Sequence, residues 1–368
     1  AGGRELILVT TQCFPPDRGG IENLVGGLAD SLHARGKDVV VFADRARSSA
    51  SAFQAPYPVR RFGGFKPLRR RLKARAVAAA ARSGIEGVFA DSWKSIELLG
   101  PLRAPIAVFA HGMEFPANPS DGKRARITRA LAKAHTIIAD SAYSATLAKP
   151  YLSDGGARVR VLNPPIGPQP EPAPEAMRSV RTTIGERGPV LLTLARLEPR
   201  KGVDMVIRAM PGILRSHPKA LYVVAGGGDD RARLEQVASE TGVGANVHFA
   251  GAVDNAVKAA LFASADVFVM PTRREGNSVE GFGIVYLEAG WYGVPAIAGR
   301  DGGAVDAVRD GETGLLCDAT DWRDVERQIL RILDDETLKR RLSEAAFNHV
   351  RGEAQWSRAI DHFLDSLR

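Results

Sequence analysis

The chain has 368 residues, 45% apolar and 25% charged, the composition of a globular protein with enough length for two ordinary domains. No run of about 18 apolar residues occurs, which excludes a membrane-spanning helix, and Cys13 and Cys317 are too few and too distant for a disulfide scaffold or a zinc site. The formal charge of +8 is lopsided: residues 1–165 hold 25 Lys/Arg against 13 Asp/Glu, and residues 166–368 hold 25 against 29, so an anionic partner is expected on the first half.

Apolar runs alternate with helical patterns along the whole chain. Leu6 to Val9 reads as a strand, followed by a glycine-rich loop and an amphipathic helix from about Ile21 to Ala34. Strands are predicted next at Val39–Ala43, Gly87–Ala90, Ile106–Ala110 and Thr136–Ala139. The rhythm then restarts, with strands at Val190–Ala195, Leu221–Ala225, Val247–Ala250, Val267–Met270, Pro295–Ala298 and Gly314–Cys317. Short runs apolar on both faces and separated by helices indicate parallel sheets with crossover helices. Between the two series lies PPIGPQPEPAPEA, residues 164–176, whose six prolines cannot enter a sheet interior and read as a linker. Two doubly wound α/β domains are therefore expected, with ligands at the carboxyl ends of their strands. The opening AGGRELILVTTQCFPP carries charge where a signal peptide would be apolar, which points to a cytoplasmic protein.

Four loops have the composition of anion sites. Gly19 and Gly20 close the segment after the first strand and open a helix, where backbone amides carry partial positive charge; a plain tight turn would use the same residues. This is not the dinucleotide GxGxxG pattern, so a nicotinamide dehydrogenase is disfavoured. Arg196 and Lys201 lie five apart after the Val190–Ala195 strand and can converge on one diphosphate, the arginine as a fork and the lysine as a point charge. Gly226, Gly227 and Gly228 end the following strand at the corresponding position. The fourth loop is Glu280-Gly281-Phe282-Gly283-Ile284-Val285-Tyr286-Leu287-Glu288, in which two carboxylates flank a helix start whose dipole favours a departing diphosphate. No HxxxH or Asp-x-Asp spacing offers a metal grip, so no metal and no cofactor beyond a substrate nucleotide are expected.

Together, Gly19-Gly20-Ile21-Glu22, His111-Gly112, Arg196 to Lys201, Gly226-Gly227-Gly228, Glu280-x7-Glu288 and Gly293-Val294-Pro295 resemble the GT-B glycosyltransferases of family GT4. The order and spacing fit over essentially the entire chain, most specifically over 271–317. Within the family the pattern is most similar to GDP-mannose-dependent mannosyltransferases acting on phosphatidylinositol mannosides or on polyprenol-linked and lipopolysaccharide acceptors.

The resemblance implies two Rossmann-like domains facing across a cleft. An acceptor-binding domain would span 1–165, a proline-rich linker 166–184 and a nucleotide-sugar-binding domain 185–354, with a final helix at 355–368 packing back on the first. It casts Gly19 and Gly20 against the donor phosphate and sugar, and Arg196 and Lys201 as the diphosphate clamp. Glu280 would hold donor-sugar hydroxyls, Phe282, Gly283, Ile284 and Val285 would offer backbone N–H groups, and Glu288 would bind the ribose. His111 would reach the donor sugar, and the backbone near Gly251 and Val253 would meet the base. Transfer would retain the anomeric configuration, with the leaving diphosphate taking the acceptor's proton and domain closure excluding water. Trp291-Tyr292 is bulkier than the small residues common before Gly-Val-Pro in this family.

The segment Lys66 to Arg75, with Arg69, Arg70, Arg71, Lys73 and Arg75, is strongly basic and follows Phe62 and Phe65; Lys123, Arg124, Arg126 and Arg129 form a second group. A lipid-linked or phosphorylated glycan acceptor at the inner face of an anionic membrane is the expected partner, because anionic headgroups attract such segments. A solvated helix face would have the same composition. Nucleic acid is not expected, since no aromatic platform accompanies the charge. Use of UDP-glucose or UDP-N-acetylglucosamine, a sugar-nucleotide epimerase and a non-catalytic nucleotide module are the alternatives.

Overall fold

The computed structural model describes residues 6–17, 19–46 and 54–368; Arg18, in the first glycine-rich loop, lies outside them. The chain divides into two compact units, Ala1–Gly167 with Gln355–Arg368, and Pro168–Ala354.

The first unit runs β1 (Leu6–Thr11), α1 (Gly20–Ala34), β2 (Asp38–Asp44), β3 (Val59–Phe62), α2 (Lys66–Ala80) and β4 (Gly87–Ala90). It continues through α3 (Trp93–Ile96), β5 (Ile106–Ala110), α4 (Asp121–Leu131), β6 (Thr136–Ala139), α5 (Ala142–Ala148) and β7 (Arg158–Val161). Its seven strands pair in the order β3-β2-β1-β4-β5-β6-β7, all parallel. Leu8, Val88, Val108 and Ile137, all fully buried, run across the sheet into one hydrophobic cluster with Trp93, Ile96 and Ile127 from the covering helices. The outer strands β3 and β7 have no apolar run to announce them. Their sequences, VRRF and RVRV, place arginines at sheet edges, where one side meets water and charge guards the unpaired backbone.

The second unit opens with α6 (Pro174–Ile184), then β8 (Val190–Leu194), α7 (Val203–Ser216), β9 (Leu221–Ala225), α8 (Arg231–Glu240), β10 (Val247–Gly251) and α9 (Asn255–Ala263). There follow β11 (Val267–Met270), α10 (Ile284–Trp291), β12 (Ala296–Gly299), α11 (Ala304–Ala307), β13 (Gly314–Cys317), α12 (Trp322–Leu333) and α13 (Glu336–Gly352). Six parallel strands pair in the order β10-β9-β8-β11-β12-β13. The expected linker of 166–184 is shorter than its composition suggested. From Pro174 onward it is helix α6, because proline at the first helical position is already set at the helical φ and Ala176, Val180 and Ile184 form a buried stripe against α9.

Helix α14 (Trp356–Leu364) belongs to the first unit and lies on α1. The approach is so close that a Cβ on Gly27 would stand 2.1 Å from the Trp356 indole nitrogen. The bulk of Trp291-Tyr292 also finds its reason here. Tyr292 stacks on Phe262 at 5.6 Å and donates its hydroxyl to the Pro170 carbonyl at 2.7 Å, while the Arg351 guanidinium covers Trp291 at 4.3 Å.

Candidate active site

In each sheet the strand order reverses once, between β1 and β4 and between β8 and β11. Crossover helices leave opposite faces there, and the loops at the carboxyl ends part to make a crevice, the usual ligand position in open parallel sheets. Of the residues singled out in the sequence, Gly19 and Gly20 follow β1, and Arg196, Lys201, Glu280 and Phe282 to Val285 follow β8 and β11, the strands that flank these points, while His111 follows β5, Gly226 and Gly227 follow β9 and Gly251 ends β10.

In the second unit, β8 leads into the loop carrying Arg196 to Lys201, and β11 into the loop carrying Glu280. Glu280 is held through a single oxygen: Oε2 accepts from Lys201 Nζ and, at 2.8 Å, from Arg200. Burial pushes this carboxyl up, but Lys201 and then Arg200 outweigh it and hold Glu280 below its ordinary value. A carboxylate ionised and fixed by one oxygen keeps the other for an incoming hydroxyl donor. Arg200 was not singled out in the sequence, since the spacing that suggested Arg196 and Lys201 is silent about a carboxylate 80 positions on. Arg196, expected on the diphosphate, does not join Lys201 at Glu280. Its side chain is 76% exposed and reaches only Glu198, at 3.5 Å, which Arg200 also contacts at 2.9 Å. The pair that meets at Glu280 is thus Arg200 and Lys201.

A buried frame supports these loops. Asp204 in the first turn of α7 takes both terminal nitrogens of Arg273, at 2.9 and 3.1 Å, and Arg273 donates its backbone N–H to the Arg200 carbonyl at 2.9 Å. The Glu280 loop ends at Gly283, whose φ of +91° makes it a left-handed N-cap for α10. Ile284 and Val285 form the first turn, where amides have no intrahelical acceptor, and Phe282 is buried beneath them. Glu288, just over one turn along the same helix, is buried and accepts from Lys258 of α9 at 2.9 Å. Lys258 was likewise missed by the sequence reading.

Gly226 and Gly227 serve different needs. A Cβ on Gly226, whose φ is +131°, would lie 1.8 Å from the Ala195 carbonyl, so that glycine is fixed by close backbone packing, whereas Gly227 faces open space. Gly251 is joined to the same turn, its carbonyl accepting from the Gly226 amide at 2.7 Å, and Val253 is half-buried just beyond it.

In the first unit Gly20 opens α1 and Gly19, in extended backbone, is its N-cap. The preceding turn is braced by Asp91 at the end of β4, whose Oδ2 accepts from Gln12 N–H at 2.8 Å and Thr11 Oγ1 at 3.1 Å. His111, at the end of β5, is bound to Asp140 at 2.7 Å through Nδ1 and to the Asp91 carbonyl at 2.8 Å through Nε2. Asp140 and Glu114 had no place in the sequence reading; Glu114 accepts from the His111 backbone N–H at 2.8 Å.

The basic segment corrects the expectation most. Lys73 is buried, donating to the Thr11 carbonyl at 2.5 Å and to Asp44 at 2.7 Å. Arg69 pairs with the same Asp44 at 3.1 Å, and Arg70 with Glu97 at 2.6 Å. These three hold α2 to its own unit, because a helix whose inner face carries cations satisfies them on neighbouring carboxylates. Arg71 and Arg75 stay exposed with Lys66, beside Phe65, Leu68 and Leu72, which are 76%, 55% and 44% exposed. In the second group Arg126 joins Arg70 on Glu97, at 2.6 Å, and Arg124 lies over the Tyr151 ring. Among the described residues no cluster of three His, Cys, Asp or Glu is placed to hold a metal ion, and no helix is long and apolar enough to cross a membrane.

Two Rossmann-like units, each an all-parallel sheet, give the chain the GT-B architecture of glycosyltransferases. The comparisons agree: residues 178–349 match the family described as glycosyl transferases group 1, and residues 18–170 match glycosyltransferase family 4, to which families the chain belongs. It is 32% identical to the GDP-mannose-dependent alpha-(1-6)-phosphatidylinositol monomannoside mannosyltransferase of Mycolicibacterium smegmatis, over 95% of each chain. It is 31% identical to the GDP-mannose-dependent monoacylated alpha-(1-6)-phosphatidylinositol monomannoside mannosyltransferase of Corynebacterium glutamicum, covering 95% of this chain and 94% of that one. Among solved structures, the Anabaena HepE complex with UDP and glucose shares the fold at a TM-score of 0.79, with 20% identity and 99% of both chains covered. The protein is a glycosyltransferase.

Proposed function

We propose that the chain transfers α-mannose from GDP-mannose, with retention, to a glycolipid acceptor of the phosphatidylinositol mannoside kind at the cytoplasmic face of the membrane. The observation that carries this reading is Glu280, ionised by Lys201 and Arg200 through one oxygen and set before a helix whose first carboxylate, Glu288, lies just over one turn along. Near-full-length relatives named for GDP-mannose and for phosphatidylinositol monomannoside support the choice of donor and acceptor.

In the reaction the bond between the sugar's anomeric carbon and the diphosphate breaks as the acceptor oxygen bonds to that carbon from the same face. The hydroxyl proton passes to a diphosphate oxygen, so no metal and no enzymic base enter the balance. Lys201, with Arg200 beside it, offsets the charge that grows on the diphosphate. Glu280 takes the donor-sugar hydroxyls on its other oxygen, and Glu288 takes the ribose.

A thermal-shift panel tests the donor. A ligand at a hundredfold excess over its Kd stabilises the native state by about 2.7 kcal/mol, which for a donor unit of this size amounts to roughly 5–10 °C in Tm. GDP-mannose is expected to give that rise and to yield a mannosylated product with phosphatidylinositol monomannoside. A comparable rise with UDP-glucose or UDP-N-acetylglucosamine and none with GDP-mannose would move the protein to the alternative donor class.

The exposed side of α2 supports membrane attachment: Phe65, Leu68 and Leu72 recur at helical spacing, and Lys66, Arg71 and Arg75 stand beside them. At about 1 kcal/mol per basic residue near an anionic surface, Arg71→Ala with Arg75→Ala is expected to lower partitioning onto phosphatidylglycerol vesicles roughly thirtyfold in a flotation assay. Equal and negligible flotation of the unaltered protein with anionic and with neutral vesicles would remove the membrane from the proposal.

A further inference from the structure

Strands β4, β5 and β6 are adjacent, and the residues that follow them, Asp91, His111 and Asp140, come together at the carboxyl end of the sheet. The His111 ring lies flat on Phe109, with centroids 6.1 Å apart and planes 2° from parallel, and its side chain is 12% exposed. Both ring nitrogens face oxygens that only accept. Nδ1 is 2.7 Å from Oδ2 of Asp140, and Nε2 is 2.8 Å from the Asp91 carbonyl. A neutral imidazole has one donor and one acceptor nitrogen and would leave one of these contacts repulsive; an imidazolium satisfies both.

Asp140 gives an independent sign. Its second oxygen, Oδ1, is buried and accepts no hydrogen bond. An ionised carboxylate with a bare buried oxygen is costly unless a full positive charge stands against it. The carboxylates that face the ring are Asp140 from the end of β6, Asp91 from the end of β4 and Glu114 from the turn after β5. Asp91 is already engaged, taking Gln12 N–H, Thr11 Oγ1 and, at 2.5 Å, Ser95 Oγ, so Asp140 is the principal counter-charge.

We propose that Asp140 is a positioning residue that keeps His111 a doubly donating imidazolium, so that the histidine serves the transfer as a fixed cation and never as a proton carrier. This rests on the glycosyl-transfer reading for the word transfer, but the state of the ring does not. Burial alone would push the imidazolium down; the charge and hydrogen bond of Asp140, with Glu114 and Asp91, override it and carry His111 up to about 10. With both nitrogens committed to the protein, the acceptor's proton has no route through this ring, in agreement with its passage to the diphosphate.

The decisive measurement is long-range nitrogen–proton NMR of the histidine rings in the full chain. One of the seven histidines is expected to show both nitrogens protonated at pH 8, and that signal should be absent from His111→Gln. In Asp140→Asn the ring should titrate near the ordinary histidine value of about 6.5, and kcat should fall about tenfold per pH unit above it, where the unaltered enzyme stays level to about pH 9. Asp140→Glu should restore the level profile. Linkage adds a readout that needs no substrate. A histidine raised on folding stabilises the native state fully below its unfolded value and loses that contribution as pH rises towards about 10, so urea resistance should decline between pH 7 and 10 in the unaltered chain and not in Asp140→Asn. A His111 ring that titrates near 6.5 in the unaltered protein would overturn the proposal, as would an Asp140→Asn enzyme with a neutral ring and an unchanged pH profile. Should no nucleotide sugar be turned over, the transfer reading fails while the spectrum still decides the state of the ring; should Asp140→Asn not fold, the unaltered spectrum decides alone.

Discussion

Lys201→Ala is expected to lower kcat/KM for the donor by about a hundredfold to a thousandfold, the effect of removing one preorganised group aimed at developing negative charge. The lysine is buried in the loop after β8, so the charge it would set beside the diphosphate under the proposed function is poorly screened. The fold should survive, because Glu280 keeps the 2.8 Å contact with Arg200 and is left with a counter-charge. Arg200→Gln in the same series should cost less, about tenfold, since it acts mainly by orienting Glu280. Steady-state kinetics on both variants, with melting curves as a check on folding, separates the two roles. A Lys201→Ala enzyme within threefold of the unaltered one would show that this lysine does not meet the leaving group.

The largest effect on stability is expected at Asp204, which lies away from the proposed chemistry. Asp204→Asn removes the charge that Arg273 grips with both terminal nitrogens and that Arg233 approaches at 3.4 Å. Arg273 is 9% exposed and would keep only Glu275, through Nε at 2.7 Å. Breaking a buried pair by neutralising one partner costs about 3–5 kcal/mol; with Glu275 still in place the lower end, about 3 kcal/mol, is expected in urea unfolding of the second unit. A loss below about 1 kcal/mol would mean that solvent reaches Arg273 more freely than its burial indicates. Donor affinity should fall as well, because the Arg273 backbone holds the Arg200 carbonyl and so ties the Glu280 loop to the Lys201 loop.

How much of this could be read from the chain differs sharply between backbone and side chains. The central strands are legible because a parallel strand covered on both faces is a continuous apolar run, and Leu191, Tyr222, Val269 and Ile297 lie fully buried in one cluster of the second unit. The edge strands Val59–Phe62 and Arg158–Val161 were not legible, since half of each meets solvent and no hydrophobic signal is required of it. Helix α6 was hidden by the prolines before it, which serve as its entry. The loops at the carboxyl ends of the strands could be placed from their glycines, because Gly226 and Gly283 occupy backbone conformations that other residues rarely adopt.

The chain on its own determined the alternation of strands and helices, the break between the two sheets and the loops where the chemistry belongs, because periodicity and glycine stereochemistry act over a few neighbouring residues. Tertiary structure alone decided the partner of each charge. Lys73, written into a basic run, is drawn inward to the Thr11 carbonyl 62 positions away, Arg200 joins Lys201 at Glu280, and Asp140 finds His111. Ion pairs depend on distances of a few ångströms between residues far apart in the chain, and local sequence fixes no such distance.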